Sequence, residues 1–342
     1  MASSSSADLF APVTVVSSGY GSALLDRLST VVVGRRRELE SIVAALAAGR
    51  HLLLEGPPGT GKSTVLRAIA AAGGSGFEFV EGNAELTPAR LVGAFDPAAV
   101  LADGYTPDAF VDGPLLCALR EGSLLYLEEL NRVPEETLNV LITVMSEGEV
   151  HVPRLGRVDA APGFRLVAAM NPFDAVGTAR IASAVYDRCC RLAMGYQDAT
   201  EERAIVDRHA SEAAAALGPS GLRAAVAMVR DSREHPDLRT GSSVRGAIDL
   251  ALVAGELADL RGLGVMDPSV TLDAALLALS GRIRLREGCG RSAEEIVTEL
   301  WERHFPAAVD RGDADGRDDE TASQDHETGD SVGGERSASG KA

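Results

Sequence analysis

The chain has 342 residues, which is long enough for one large domain or two ordinary ones with a sizeable core. Aromatic residues make up only 4% of the sequence while Ala and Gly are abundant, so the core is predicted to be mostly aliphatic. The formal charge of -17 argues against a nucleic-acid-binding surface, because phosphate backbones are met by net basic faces.

The first part of the chain alternates between helical and strand patterns. Residues 1–22 are predicted to form a flexible arm, and apolar residues then recur at helical spacing over residues 38–48. An apolar run at residues 52–54 predicts a strand, and residues 64–70 predict a helix, with a glycine-rich turn between them. Residues 77–80 alternate like a second strand. This order predicts a strand–turn–helix unit followed by another strand.

The middle of the chain continues the alternation. Residues 84–120 carry the signals of short helices and a turn. Residues 124–127 form a continuous apolar run, which is typical of parallel strands buried on both faces. Three more elements are predicted in order: a helix at 134–145, a hairpin at 149–158 and a buried strand at 164–170. Alternating strands and helices predict an α/β fold, with a parallel sheet sandwiched by helices.

From residue 200 onward helical patterns replace the strand signal. Helices are predicted at 200–216, 219–230, 242–260, 271–283 and 292–304. The predicted organisation is therefore an α/β core at residues 23–197 and a small all-helical lid domain at residues 198–306. Residues 307–342 carry ten acidic and four basic side chains with almost no large apolar residue, which predicts a disordered acidic tail.

The cysteines and the N-terminal segment indicate the cellular compartment in which the protein is expected. Cys117, Cys189, Cys190 and Cys289 show no C-x-x-C spacing and have no histidine pairs nearby, which argues against zinc or disulfide frameworks and predicts buried, reduced thiols. The N-terminus is Ser-rich, without the basic and apolar regions of a signal peptide, and no stretch reaches the length of a membrane span. The sequence predicts a soluble, cytoplasmic protein.

One turn carries a complete chemical pattern. It consists of Gly56, Pro57, Pro58, Gly59, Thr60, Gly61, Lys62 and Ser63, and Thr64 follows it in the predicted helix. These residues fit the phosphate-loop pattern G-x-x-x-x-G-K-[ST] between a strand and a helix. The glycines let the backbone wrap closely around a polyphosphate, so that N–H groups and the helix N-terminus point at negative charge.

The lysine and the serine of the turn have separate roles. Lys62 would reach the β- and γ-phosphates, and the Ser63 hydroxyl would hold Mg²⁺. Only two lysines occur in the chain, Lys62 and Lys341, while arginine is used elsewhere. The one lysine outside the tail thus stands where phosphate chemistry requires it. The alternative is a glycine-rich turn without a ligand, but the full pattern favours nucleotide binding.

Two carboxylates and an amide follow neighbouring strands of the predicted sheet. Glu128 and Glu129 end the strand at residues 124–127, at the edge where α/β folds place their ligands. Glu128 could bind Mg²⁺ through water, and Glu129 could polarise the attacking water. Asn171 ends the next strand and could orient that water or sense the γ-phosphate. The alternatives are solvated carboxylates that cap a strand and an ordinary Asn-Pro turn.

The order of loop, acidic strand end, Asn-ended strand and helical lid resembles an AAA+ ATPase. Several motifs resemble the MoxR branch, which includes the CbbQ, NorQ and gas-vesicle N-type ATPases. These motifs are Glu129-Leu130-Asn131-Arg132, Asn171-Pro172, Gly177-Thr178, Asp187-Arg188 and Gly241-Ser242-Ser243-Val244-Arg245. The resemblance covers about residues 31–300. The phosphate loop is common to many NTPases, whereas the E-L-N-R element with the following hairpin and Asn-Pro is much more selective.

By position, the resemblance implies a role for each residue near the phosphates. Lys62 and Ser63 take the Walker A positions, Glu128 and Glu129 take the Walker B positions, and Asn171 becomes sensor 1. The family usually has Asp where this chain has Glu128, and the extra methylene moves the carboxylate outward by about 1.5 Å. Binding through a metal-bound water is compatible with that shift, but the shift opens the alternative of slow hydrolysis.

The resemblance also assigns two arginines and a base pocket. Arg188 matches an arginine finger that reaches a neighbouring subunit's nucleotide, and Arg245 matches sensor 2 at the start of a lid helix. A permanently charged guanidinium stabilises charge on a transferring phosphoryl group. Without the resemblance, each arginine is expected to be an ordinary surface or ion-pair residue. Val33 and Gly34 would line the adenine pocket.

The implied function is an Mg²⁺-dependent ATPase that assembles into a homo-oligomeric ring, a hexamer, and remodels or matures a partner protein, for instance by metal or cofactor insertion. The resemblance implies a von Willebrand factor A domain protein and a client enzyme as partners, and no nucleic acid or membrane is expected. The insertions at residues 84–120 and 147–163 are predicted to face the substrate. Two alternatives stay open: a nucleotide-gated assembly scaffold with little hydrolysis, and a gas-vesicle assembly ATPase.

Overall fold

Residues 20–172 and 183–305 are described by a computed structural model. Apart from residues 20–22, the predicted N-terminal arm lies outside the described residues. The predicted acidic tail at residues 307–342 and the Gly177-Thr178 pair also lie outside them.

The described ranges contain short strands and longer helices. The strands, in chain order, are β1 (His51–Glu55), β2 (Phe77–Glu81), β3 (Gly93–Phe95), β4 (Phe110–Asp112), β5 (Leu124–Glu128), β6 (Glu149–Val152), β7 (Gly156–Asp159), β8 (Arg165–Met170), β9 (Cys189–Ala193), β10 (Leu238–Thr240) and β11 (Arg284–Leu285). The α-helices are α1 (Ser22–Val31), α2 (Arg36–Ala47), α3 (Lys62–Gly73), α4 (Pro88–Val92), α5 (Pro97–Asp103), α6 (Pro114–Glu121), α7 (Glu135–Glu147), α8 (Ser183–Arg188), α9 (Ala199–His209), α10 (Ser211–Glu234), α11 (Val244–Arg261), α12 (Pro268–Leu279) and α13 (Ala293–His304).

Five strands form one parallel sheet in the order β2-β5-β8-β1-β9. Glu55 at the end of β1 lies beside Met170 at the end of β8, so the carboxyl ends of the central strands meet at one edge. This confirms the predicted α/β fold. The sequence does not predict β9, because its residues, Cys-Cys-Arg-Leu-Ala, contain neither a continuous apolar run nor a clear alternation.

Side chains that alternate along the strands build an apolar core on each face of the sheet. On β1, Leu52 and Leu54 pack with residues of α1, α2 and α3. Leu53 points the other way and packs with residues of α4, α6 and α7. Burial on both faces explains why the central strands read as continuous apolar runs in the sequence.

The helices after residue 198 pack around an apolar cluster of their own, which draws on α9 to α13. The single helix predicted at 200–216 is wrong, because α9 ends at His209 and α10 begins at Ser211. Ala210 breaks the helical backbone between them with φ -141° and ψ 45°. Helix α10 is itself interrupted at Gly218, where φ is +67°. The lid also contains an unpredicted antiparallel pair of strands, β10 and β11, which α11 and α12 separate in the chain and which are too short to carry a periodic signal.

Two findings concern the membrane and the thiols. Within the described ranges, none of the helices has both the length and the apolar character needed to cross a membrane. All four cysteines are free thiols. The prediction that they are buried is wrong, because Cys190 is exposed on the edge strand β9 and the other three are only partly buried.

His51 at the start of β1 makes the stability of the sheet depend on pH. Its Nδ1 accepts a hydrogen bond from the Leu166 N–H at 2.9 Å, which requires a neutral ring. Burial, reinforced by the nearby Arg165 and Arg50, lowers the pKa of His51 to about 4. In an unfolded chain the imidazole titrates near ~6.5. The unfolded state therefore binds more protons between these two pKa values, so stability falls as the pH drops through that window.

We expect His51→Asn to flatten this pH dependence. Asn keeps a hydrogen-bond acceptor near the position of Nδ1 but does not titrate. Between pH 7.5 and pH 5, the free energy of unfolding of the wild type should fall by about 2 kcal/mol more than that of the variant. Urea unfolding at the two pH values measures the difference. Parallel pH dependences in the two proteins would show that His51 does not control it.

Candidate functional site

The phosphate loop joins β1 to α3 at the carboxyl edge of the sheet. The Gly56 N–H donates to Met170 O at 3.1 Å, which ties the start of the loop to β8. Gly59 and Gly61 have φ of +76° and +83°, a region that residues with a side chain rarely adopt. A Cβ on Gly59 would also collide with Ser243 of the lid, so glycine permits the lid to contact the loop.

Lys62 is a buried ammonium held inside the loop. Its side chain is only 7% exposed, and Nζ donates to the carbonyl oxygens of Gly56 and Pro57 at 2.9 and 3.0 Å. Burial lowers the pKa of Lys62, and the nearby Glu128 carboxylate partly offsets this effect. Because these hydrogen bonds go to neutral oxygens, the buried cation is suited to an anionic ligand. The loop therefore fits a polyphosphate.

Ser63 and Glu128 meet directly beside the loop. The Ser63 hydroxyl donates to the Glu128 carboxylate, with Oγ at 3.0 and 3.2 Å from the two carboxylate oxygens. Hydroxyl and carboxylate oxygens are the ligands that Mg²⁺ accepts, directly or through water. The pair therefore fits an Mg²⁺ ion, and the longer side chain of Glu128 does not prevent it from reaching Ser63.

Glu129 and Asn171 occupy the same edge of the sheet. Glu129 has an unusual backbone φ of +54° and starts a short 3₁₀ turn, Leu130–Arg132. Its carboxylate forms an ion pair with Arg132 Nη1 at 2.8 Å. Asn171 follows β8 directly and lines a cavity of about 710 Å³ together with Pro57 and Pro58 of the phosphate loop. The structure thus brings both residues to the edge that carries the loop.

A second cavity, of about 270 Å³, lies between the loop and the lid. Its wall combines apolar side chains with the loop backbone and includes Val33, Thr64 and Arg245 of the predicted site. An apolar wall beside a phosphate loop is suited to a nucleotide base. Gly34 is not among the lining residues of this cavity, and its place in the base pocket stays a prediction. A Cβ on Gly34 would instead collide with the Glu201 carboxylate, which shows that Gly34 packs against α9.

Arg35 and Gln197 are among the residues of this cavity that the sequence prediction leaves out. Arg35 is only 6% exposed, and its Nη2 donates to Gly195 O at 2.7 Å while Nη1 pairs with Glu38 at 3.1 Å. Burial lowers the pKa of Arg35. Gln197 Nε2 donates to Val33 O at 2.6 Å. Both side chains link the segment at Val33 and Arg35 to the chain after β9. Arg35 stands in a run of three arginines, and Gln197 in a loop, so the sequence contains no signal that singles them out.

Arg188 lies at the end of the sheet where the strands begin, opposite the end that carries the phosphate loop. It directly precedes β9, whose first residue Cys189 pairs with His51 at the amino end of β1. The phosphate loop follows the other end of β1, about 13 Å away at the rise of a strand. Arg188 Nε donates to Ser146 Oγ on α7, and Nη1 donates to Ala184 O at 3.0 Å. The structure therefore does not bring Arg188 to the phosphate loop of its own chain.

These features together define a P-loop nucleotide-binding protein. They are the parallel sheet, the glycine-rich loop with its buried lysine, the serine–carboxylate pair and the helices that cover them. Comparisons with known proteins narrow this class. The family described as "AAA domain (dynein-related subfamily)" matches residues 51–189. The gas vesicle ATPase GvpN2 of Halobacterium salinarum is 30% identical over 274 residues, which cover 75% of this chain and 76% of GvpN2. The chain belongs to the AAA ATPases, the family that contains GvpN2, and it binds nucleotide and hydrolyses ATP.

Two more similarities extend over most of the chain. YeaC of Bacillus subtilis is 28% identical over 303 residues, which cover 81% of this chain and 91% of YeaC. Among solved structures, the RuvB Holliday junction branch migration motor of Thermotoga maritima is 18% identical. That similarity covers 72% of this chain and 70% of the RuvB chain, with a TM-score of 0.48.

Proposed function

We propose that the chain is an Mg²⁺-dependent AAA ATPase of the MoxR type that works in a ring and remodels or matures a partner protein. ATP would lie between the core and the lid of one subunit, beside the next subunit. Bound Mg²⁺ would neutralise charge on the phosphates. Lys62 would hold the β- and γ-phosphates, Ser63 and Glu128 would hold the metal, and Glu129 would polarise the attacking water.

The observation that carries the ring is the position of Arg188. An arginine that lies about 13 Å along the strand from its own phosphate loop cannot serve its own nucleotide. It stands at the far edge of the sheet, where a neighbouring subunit could receive it. A head-to-tail contact of this kind closes into a ring when the rotation between subunits allows it.

The insertion between α4 and α6 supports a protein partner. Helix α5 has no buried residue, and Leu101 on it is 89% exposed, while Val111 on β4 is 60% exposed. The Phe95 ring supports this surface, with its centroid 5.0 Å from those of both Tyr105 and Phe110. An ordered segment that presents apolar side chains to solvent is typical of an interaction site.

The charge of the same insertion indicates the chemistry of the partner. Residues 93–113 carry four Asp and neither Lys nor Arg. The Arg154 guanidinium, on the hairpin β6–β7, lies 3.6 Å from the Tyr105 ring centroid and joins the two predicted substrate-facing insertions. The combined surface is suited to a partner segment that carries apolar and basic side chains. A von Willebrand factor A domain protein and a client enzyme remain the partners we propose.

Steady-state ATP turnover against protein concentration, with mass measured in parallel, tests the proposal. For a working ring, we expect specific activity to rise with concentration as the mass rises from one subunit to an assembly. Glu129→Gln should assemble and bind ATP but lose turnover, because an amide cannot polarise the water as a carboxylate does. Assembly and tight ATP binding with negligible wild-type turnover would favour the nucleotide-gated scaffold. Full activity in the single subunit would contradict the ring.

A gas-vesicle assembly ATPase is the second candidate function. The observation in its favour is the similarity to GvpN2 over three quarters of both chains. GvpN1 of the same organism is 27% identical over 271 residues. The two candidates share the chemistry of the site and differ in the client on which the ring acts.

A further inference from the structure

Tyr126 is a fully buried phenol on the strand that ends in Glu128. Its side chain is 0% exposed, and it shares one face of β5 with Glu128 because the two residues are two positions apart. Its hydroxyl lies 3.3 Å from Ser63 Oγ, which itself donates to the Glu128 carboxylate. Burial and the nearby Glu128 carboxylate raise the pKa of Tyr126, which places the phenol within the influence of that carboxylate. Tyr126 thus contacts Ser63 and lies beside Glu128, the two residues that fit the metal, although neither the phosphate-loop pattern nor the Walker B positions include it.

The Tyr126 ring is held in place by its neighbours. Its centroid lies 6.0 Å from that of Phe77 and 5.7 Å from that of Phe79, the two aromatic residues of β2. The Arg67 guanidinium lies 5.2 and 5.1 Å from the same two ring centroids. Burying a hydroxyl without a hydrogen bond is unfavourable, and this packing keeps the Tyr126 hydroxyl next to Ser63 and Glu128, where it can form one.

The hydrogen-bonding capacity of Glu128 explains what the phenol adds. Ser63 donates its one hydroxyl proton to the carboxylate, and Tyr126 can donate a second. A carboxylate has about four lone-pair sites, so it can accept both and still bind a metal-bound water. Glutamate has one more rotatable bond than aspartate, and restricting that bond costs side-chain entropy. A fixed donor beneath the carboxylate reduces the number of orientations it samples before the ligand binds.

We propose that Tyr126 is a positioning residue, whose hydroxyl holds the long Glu128 side chain together with Ser63 in the orientation that binds Mg²⁺. The inference rests on the Mg²⁺-dependent nucleotide binding proposed above. It also accounts for the glutamate at this position, because the phenol orients a carboxylate that reaches further than that of aspartate. In this arrangement Tyr126 acts through Glu128 and does not touch the nucleotide.

Tyr126→Phe tests the proposal, because it removes one oxygen and keeps the ring. The affinity for a fluorescent ADP analogue is measured by titration with Mg²⁺ and again with EDTA, and the ratio of the two affinities is the contribution of the metal. We expect the ratio to fall about five- to tenfold, the effect of one hydrogen bond, while the affinity in EDTA stays unchanged. An unchanged ratio, or an equal loss under both conditions, would overturn the proposal. A wild-type ratio of one would instead contradict the metal dependence itself.

Two further variants separate positioning from packing. Phe79→Leu disturbs the ring contact without removing a hydrogen bond, so the ratio should stay at the wild-type value. In a Glu128→Asp background the shorter carboxylate should no longer depend on the phenol, so adding Tyr126→Phe should change the ratio less than about twofold. Two outcomes would assign the result to packing and overturn the proposal. One is the same selective loss in Phe79→Leu, and the other is an undiminished effect of Tyr126→Phe in the Glu128→Asp background.

Discussion

Lys62→Met is expected to abolish nucleotide binding and ATP turnover while leaving the fold intact. The Lys62 ammonium is buried in the loop and donates to the backbone carbonyls of Gly56 and Pro57, so its hydrogen bonds go to neutral oxygens. Loss of a charge-assisted contact to the phosphates should weaken ADP and ATP binding by at least about 100-fold. Isothermal titration with each nucleotide measures the loss, and Arg37→Met, which removes an exposed cation from α2, is the matched control.

The same variant should be at least as stable as the wild type when no nucleotide is added. Burial lowers the pKa of Lys62, which means that the folded chain holds the charge at a cost. Methionine has a similar length and no charge, so it removes that cost. Thermal unfolding of both proteins without nucleotide checks this. A variant that lost binding and also melted at a clearly lower temperature would show that Lys62 supports the loop structurally.

The parts of the fold that the sequence predicts are those whose apolar residues form a clear pattern, either a continuous run or a regular spacing. The strands at residues 52–54, 124–127 and 164–170 are buried on both faces, so they appear as apolar runs whatever surrounds them. Strand β9 lies at the edge of the sheet with a mixed sequence, and its position depends on pairing with β1. Helix α5 buries none of its residues, so no apolar period marks it. Tertiary contacts decide such elements, and local sequence does not show them.

The residues of the candidate site also fall into two groups, those that the sequence predicts and those that it does not. Lys62, Ser63 and Glu128 can be predicted because the chemistry of phosphate and metal demands particular residue types at particular spacings. Tyr126 and Arg35 cannot be predicted, because their roles arise from contacts across the fold that leave no local pattern. The contact of Gly34 with Glu201 is equally invisible in the sequence, since the resemblance supplies a position in the chain but not the direction in which that residue packs.

Arg188→Ala and Glu129→Gln, each inactive alone, are expected to regain ATPase activity when they are mixed. Loss of a finger arginine typically lowers turnover by about 10³-fold or more. In a mixed ring, an Arg188→Ala subunit keeps Glu129, and a Glu129→Gln neighbour supplies the missing arginine. If subunits mix at random in equal amounts, a complete site forms with probability about one quarter, so about a quarter of the wild-type activity should return.

The geometry of the sheet is the reason to expect recovery between subunits. Arg188 precedes the strand that pairs with the amino end of β1, while the phosphate loop follows the carboxyl end of β1. No rotation of the Arg188 side chain spans that distance within one chain, so Arg188 can serve catalysis only at the nucleotide of a neighbour. The double variant mixed with Arg188→Ala contains no Arg188 in any subunit and should stay inactive. Recovery in that control, or no recovery in the mixture of single variants, would rule out the trans role of Arg188.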